Sequence, residues 1–173
     1  KGAVRPKGIA DQRVKKLGVL GAGMMGAGIS LVSAMAGIEV VLIDRDQAAA
    51  DKGKDYTTAY MDKGIARKKT TEEKKEQILS RITATTDYAK LEGCDLIVEA
   101  VFEDPKIKAE VTAKVEAVIG EDCVFASNTS TLPITSLAKA SKRPDQFIGI
   151  HFFSPVEKML LVEIIKGTET GNV

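Results

Sequence analysis

One histidine serves all 173 residues, and there are two cysteines with no C-x-x-C spacing. So few ligand side chains exclude a convincing metal cluster, and no metal is expected. Cys94 and Cys123 fall in or beside strand-like runs. They are expected to be buried, reduced thiols rather than a bridge, which fits a cytosolic or matrix compartment. Charge of one sign is lacking too: 25 Lys and Arg against 24 Asp and Glu leave a formal net charge of +1. Nothing here indicates a nucleic-acid or membrane-surface partner. No apolar run reaches the length of a transmembrane segment, and no signal-peptide pattern is visible. Repeats and low-complexity segments are absent. What remains, 44% hydrophobic and 28% charged residues, describes a soluble globular chain of ordinary domain size.

The most informative stretch spans residues 14–30, V-K-K-L-G-V-L-G-A-G-M-M-G-A-G-I-S. An apolar strand pattern runs directly into Gly21, Gly23 and Gly26, and a small-residue helical pattern follows. This is the strand, tight turn and helix that cradles a dinucleotide pyrophosphate. Gly21 permits the turn, Gly23 lets backbone approach the phosphates, and Gly26 lets the helix sit close on the sheet. A second strand pattern ends at Asp44, eighteen residues after Gly26, where an acid meets the adenosine ribose hydroxyls. The plainer alternative is a close-packed glycine turn that binds nothing.

Further strand patterns fall at about 15–20, 38–43, 81–85, 95–99, 124–127 and 147–151. Residues 160–165 offer a last strand at the sheet edge. Helical stretches are expected at about 105–119 and 133–140, with Pro105 and Pro133 suited to first turns. Between 47 and 80 there is no strand pattern. Asp46 can cap a helix to about Gly64, and Thr70 or Thr71 a second before Glu72. Basic residues gather at Lys63, Arg67, Lys68 and Lys69. They read either as a solvated helical pair or as a cationic arm for a phosphate-bearing substrate. The order of elements predicts an α/β fold: a Rossmann-type doubly wound, mainly parallel sheet with a helical excursion after the second strand.

Ligands of such sheets sit at the carboxyl ends of the strands. Asp44, Glu99 with Glu103, the Ser127-Asn128-Thr129-Ser130 run and His151 all fall there. A lone histidine at a strand end is more often structural than catalytic. Here Glu163 lies between Val162 and Ile164, twelve residues after His151. A carboxylate buried in an apolar strand needs a partner, and an imidazole suits it. Such a pair would fix the ring's tautomer and strengthen it as a base.

Four motifs in order, G-x-G-M-M-G, D-L-I-V-E-A-V-F-E, A-S-N-T-S-T-L-P-I and H-F-F-S-P-V-E-K-M-x-L-V-E-I-I, resemble the nucleotide-binding domain of the L-3-hydroxyacyl-CoA dehydrogenases. The resemblance covers residues 14–168. The form H-F-F-S-P-V-E-K-M and the arm at residues 1–6 look most like the α subunits of multifunctional fatty-acid oxidation complexes, where this domain follows an enoyl-CoA hydratase domain. The resemblance implies NAD as cofactor and oxidation of a 3-hydroxyacyl-CoA to a 3-ketoacyl-CoA in β-oxidation. It casts His151 as the base at the 3-hydroxyl, Glu163 as its partner and Ser130 beside nicotinamide and substrate. Asp44 becomes the ribose acid, and Met25, Val101, Phe102, Glu103 and Lys108 line the dinucleotide. Ser154, where many relatives have asparagine, is implied as a further cofactor contact. Leu160 replaces a common proline. Coenzyme A is implied against the helical arm, with Lys68 or Lys69 offered to its phosphates.

The resemblance also implies an asparagine in a helical domain that follows, which residues 169–173 would begin to reach. Residues 1–13 read as a linker or arm. Because the chain starts at Lys1 rather than methionine, it is expected to be cut from a longer protein, to bind NAD and to turn over poorly alone. Implied partners are the acyl-CoA substrate, that helical domain and a thiolase subunit. The implied location is the cytoplasm of a bacterium, or the mitochondrion or peroxisome of a eukaryote. Two alternatives stand beside this reading: a Rossmann dehydrogenase for another hydroxy acid, and a nucleotide-binding relative without the chemistry.

Overall fold

The computed structural model describes residues 8–10 and 12–171, so the arm motif at 1–6 and the final two residues of the expected linker lie outside the described residues. Its centre is a seven-stranded sheet: β1 Lys16–Leu20, β2 Glu39–Ile43, β3 Ile82–Thr85, β4 Leu96–Glu99, β5 Val124–Ser127, β6 Phe147–Phe152 and β7 Val162–Lys166. The spatial order is β3-β2-β1-β4-β5-β6-β7. The first six strands run parallel, and β7 returns antiparallel to β6.

The inner strands β1, β2, β4 and β5 read as near-continuous apolar runs because both faces are covered. Val40 and Leu42 join Leu17, Val19 and Ile82 on one face, beneath Ile29, Ala34, Met61 and Ile78 of three helices, α1 Met24–Met35, α2 Gln47–Ala66 and α3 Glu72–Ser80. Val41 and Ile43 join Leu20, Ile97 and Phe125 on the other, beneath Val111 and Val115 of α4 Pro105–Glu116 and Ile134 and Leu137 of α5 Ile134–Ala138. Cys94 and Cys123 are free thiols in this second core, and burial pushes them up to about 11 and about 12.

Local sequence sets the helix starts. Asp46 accepts from Ala49 N at 2.8 Å to open α2, and Thr71 accepts from Lys74 N at 3.3 Å to open α3. Asp104 accepts from the N–H groups of Lys106 and Ile107 ahead of α4, with Pro105 in the first turn where no N–H is needed. Pro133 differs from its expected place: it precedes α5 as the cap residue.

The chain moves outward from β1 to β3 and then crosses back to β4. The loops after β1 and β4 therefore diverge, and a crevice opens at the carboxyl ends of these neighbours. One expectation needs correction. The last strand starts at Val162, and all five of its residues are exposed, since β7 is an edge with β6 on one side only. Glu163 is thus half exposed, and burial is not what drives its pairing.

Candidate active site

The glycine turn fills the crevice floor with backbone. Gly21 adopts φ +92°, and its N–H donates to Ile43 O at 2.7 Å. A Cβ at Gly26 would stand 1.7 Å from Gly21 O, so this helix can meet the turn only without a side chain. A Cβ at Gly23 would meet nothing within 4 Å. The freedom at Gly23 is therefore open space over the turn, where a pyrophosphate would run. No side chain caps α1 at this end, and its first turn holds no acid. Such a helix start presents free N–H groups to an anion.

Beside the turn lies a cleft of about 940 Å³, lined by Gly21, Gly23, Asp44, Arg45, Tyr88, Val101 and Phe102 among others. Asp44 leaves the end of β2 with its carboxylate fixed: Oδ2 accepts from Ala22 N and Oδ1 from Arg45 N, each at 2.7 Å. That acid is anchored to the glycine turn itself. The exposed Phe102, at 76%, forms part of the cleft wall.

A second pocket of about 360 Å³ shares Ala100 and Val101 with this cleft and is also lined by Met25, Glu103, Asn128, Ser130, His151 and Ser154. Here His151 Nδ1 lies 2.9 Å from Glu163 Oε2, the two residues standing directly opposite in the β6–β7 ladder. A carboxylate accepts only, so Nδ1 carries the proton and Nε2 is left as the basic nitrogen. Phe153 packs edge-on to the imidazole at 4.7 Å. Asn128 Oδ1 accepts from Phe152 N at 2.9 Å and ties the β5 end to the strand that carries His151. Ser154 is exposed, with Oγ 3.2 Å from Met24 Sδ.

Beneath this pocket sits a buried charged group. Lys108 Nζ lies 2.6 Å from Glu99 Oε2 and 3.3 Å from Glu103 Oε2, with Lys108 and Glu99 almost wholly buried. Lys108 is thus under the pocket rather than on the wall of either cleft. Glu103 Oε1 gathers the Ser130 N–H at 3.0 Å, the Thr131 N–H at 3.3 Å and the Thr129 hydroxyl. Burial pushes the Glu103 carboxyl up. The Thr129 hydroxyl, the Lys108 charge and the two N–H groups together outweigh it and bring the carboxyl below its ordinary value.

Residues 16–173 match the family described as 3-hydroxyacyl-CoA dehydrogenase, NAD binding domain. The chain belongs to this family. It is 48% identical over 163 residues to the fatty acid oxidation complex subunit alpha of Idiomarina loihiensis, covering 94% of this chain and 23% of that protein. The fold superposes on (S)-3-hydroxybutyryl-CoA dehydrogenase from Ralstonia eutropha with a TM-score of 0.88 at 39% identity, over 92% of this chain and 56% of that one. The dehydrogenase part of multifunctional enzyme 1 from C. elegans gives 0.81 at 33% identity, over 93% and 37%. The chain therefore spans about a quarter of the first of these relatives and just over half of the second.

In this NAD-binding domain, then, the residues present fit a dinucleotide: an open glycine turn, an anchored carboxylate beside it and an adjoining pocket that holds His151. Most of the residues singled out from sequence line one or other of these two cavities. Lys68 and Lys69 do not. Lys69 lines a separate hollow of about 250 Å³ with Lys63, Arg67 and Lys74, which shares no residue with the other two. It lies beyond the far end of α2, a helix of 20 residues and so about 30 Å long. Lys68 takes the left-handed φ of 56° in the turn there.

Asn128 and Thr129 belong to the site more firmly than their sequence context suggested, since both act through loop-to-loop bonds. Lys108 carried a readable signal for its burial. It shares one helix face with Val111, Thr112 and Val115. No group of three or more His, Cys, Asp or Glu among the described residues could hold a metal, and no helix among them is long and apolar enough to cross a membrane.

Proposed function

We propose that this domain supplies the cofactor site and the proton-accepting pair of an NAD-dependent L-3-hydroxyacyl-CoA dehydrogenase, acting within a longer fatty-acid oxidation protein. The observation that carries the reading is the His151–Glu163 pair on the pocket that continues the dinucleotide cleft. Glu163 holds the Nδ1 proton, and Nε2 takes the proton of the substrate 3-hydroxyl. NAD in the cleft would accept the hydride from C3. Ser130, fixed by Glu103 through its N–H, stands in the same pocket for the substrate oxygen or the nicotinamide. Asp44 receives the ribose hydroxyls, and the Gly23 backbone leaves room for the phosphates.

The acyl-CoA is held by more than these residues. Leu160 is fully exposed, and Met159, Leu161 and Ile164 are exposed beside it on the approach to and along β7. An apolar edge of this kind suits cover by further protein. In our reading it is the helical domain that completes the substrate cleft, and Lys68 or Lys69 on the arm meets coenzyme A phosphates. A thiolase subunit is the partner expected of the assembled complex, in the cytoplasm of a bacterium.

The test follows NADH formation from a 3-hydroxyacyl-CoA, with the 173-residue chain and with a chain extended through the next domain. The extended chain is expected to turn over and the shorter one to bind NADH with negligible rate, because catalysis depends steeply on how the hydroxyl is held. No turnover by the extended chain with any acyl length would overturn the proposed reaction. Equal turnover by both would overturn the need for a second wall.

A further inference from the structure

Glu99 ends β4 with 1% of its surface exposed, in a place where an apolar residue would fill the core. Its carboxylate instead collects three donors. Oε1 accepts from Ser127 Oγ at 2.8 Å, and Oε2 accepts from Val101 N at 3.0 Å and from Lys108 Nζ at 2.6 Å. A buried ion pair seldom adds net stability over an apolar pair of the same volume. Its usefulness is therefore sought in what it holds in place.

Each group that Glu99 holds leads to the wall of the His151 pocket. Val101 lines that pocket and the neighbouring cleft. Ser127 directly precedes Asn128, whose side chain fixes the backbone of Phe152 beside His151. Lys108 extends from Glu99 to Glu103, and Glu103 gathers the Thr129–Thr131 turn that carries Ser130. Glu103 is one-third exposed and open to water, whereas Glu99 is closed off. One sealed carboxylate thus joins β4, α4 and β5 behind the pocket and sets where the Lys108 charge stands relative to Glu103.

We propose that Glu99 is a positioning residue for the nicotinamide half of the dinucleotide site, acting through Lys108 and Glu103 on the Ser130 turn. The inference rests on the reading of the two joined cavities as a dinucleotide site. Glu99 touches neither cofactor nor substrate. With its charge removed, the Lys108 ammonium has Glu103 as its sole anionic partner and draws that carboxylate down from the turn. Of these partners only Val101 also borders the adenosine half, whose Gly21 and Asp44 are bonded instead to Ile43, Ala22 and Arg45.

Two probes separate the halves: NADH, and ADP-ribose, which lacks the nicotinamide. Both are titrated calorimetrically into the wild-type chain, Glu99→Gln, and the paired apolar variant Glu99→Leu/Lys108→Met, with melting temperatures alongside. Glutamine can keep every contact, its oxygen toward Val101 and Lys108 and its amide toward the Ser127 hydroxyl, while losing the charge. The apolar pair is expected to melt at or above the wild type. Both variants should lose roughly tenfold in NADH affinity, the scale of one charge-assisted hydrogen bond, and keep ADP-ribose affinity within about twofold.

A stability role alone would not give a protein that melts as high and discriminates less. Unchanged NADH affinity in both variants would overturn the proposal, as would parallel loss of both ligands. Wild-type chain that binds neither probe would overturn the dinucleotide reading itself. Wild type that binds both equally would leave the nicotinamide half nothing to gain from positioning, and would overturn the role of Glu99 alone.

Discussion

His151 and Glu163 face each other across the antiparallel pairing of β6 with β7, Nδ1 2.9 Å from Oε2. Strand register alone brings them together, although twelve residues separate them in the chain. Because Glu163 is half exposed, the contact orients the ring more than it relieves a buried charge.

From this geometry, His151→Ala in an intact enzyme is expected to lower kcat by about 100- to 10,000-fold, the range of positioned acid–base catalysis. Glu163→Gln should also lower kcat, with NADH affinity nearly unchanged, since neither side chain lies on the adenosine cleft. Steady-state kinetics with a 3-hydroxyacyl-CoA, paired with NADH titration, check this. Full activity of Glu163→Gln with an unaltered pH profile would rule out the pair.

Two glycines of the turn should respond in opposite ways. At Gly26 an added Cβ would fall 1.7 Å from the Gly21 carbonyl oxygen, so Gly26→Ala must displace the turn. It is expected to destabilise by about 3 kcal/mol or more, beyond ordinary overpacking. At Gly23 the Cβ meets no protein atom within 4 Å. Gly23→Ala should melt like the wild type yet lose NADH affinity by about tenfold, since its methyl group occupies the phosphate path. Thermal unfolding and NADH titration of the two variants separate these effects; a Gly23→Ala chain with wild-type affinity would move the pyrophosphate elsewhere.

Glu103 gives the domain a pH dependence of defined sign. Its folded carboxyl sits below the ordinary value of 4.5, through the Thr129–Thr131 donors and Lys108. The unfolded chain therefore binds the proton more readily, and the stabilisation is present above the unfolded value and lost as pH falls through the folded one. The stability difference between wild type and Glu103→Gln, measured by denaturant unfolding, should be largest near neutral pH. It should shrink through the acid range below about pH 4.5. A difference that stays constant on acidification would contradict the network at this residue.

Much of the fold was legible because its signals are local. Asp46 and Thr71 cap helices within three residues of themselves, and the glycine turn carries its own geometry. The parallel order followed from strands alternating with helices. What sequence concealed depends on segments meeting from afar. Glu99 reads in the sequence as a polar strand end beside the ligand crevice, and its burial shows only when Lys108 and Ser127 arrive beside it. Asn128 shows its use only when Phe152 comes within 2.9 Å. The edge place of β7 was expected, but the exposure of all five of its residues was hidden, since V-E-I-I-K is apolar enough for a covered strand. For Lys68 and Lys69 composition marked a cationic cluster, but only the length of α2 tells how far it stands from the cleft.

If the crevice over Gly21, Gly23 and Asp44 is an NAD site, a calorimetric titration of this chain will separate NADH from NADPH. Asp44 lines the cleft and is held by Ala22 N and Arg45 N; in the proposed site its charge would favour free ribose hydroxyls and repel a 2′-phosphate. Arg45 beside it would favour the phosphate instead. NADH is expected to bind with at least about a tenfold preference over NADPH, a margin of about 1.4 kcal/mol, narrowed in Asp44→Ala. Equal or tighter binding of NADPH, or no binding of NADH at all, would contradict it.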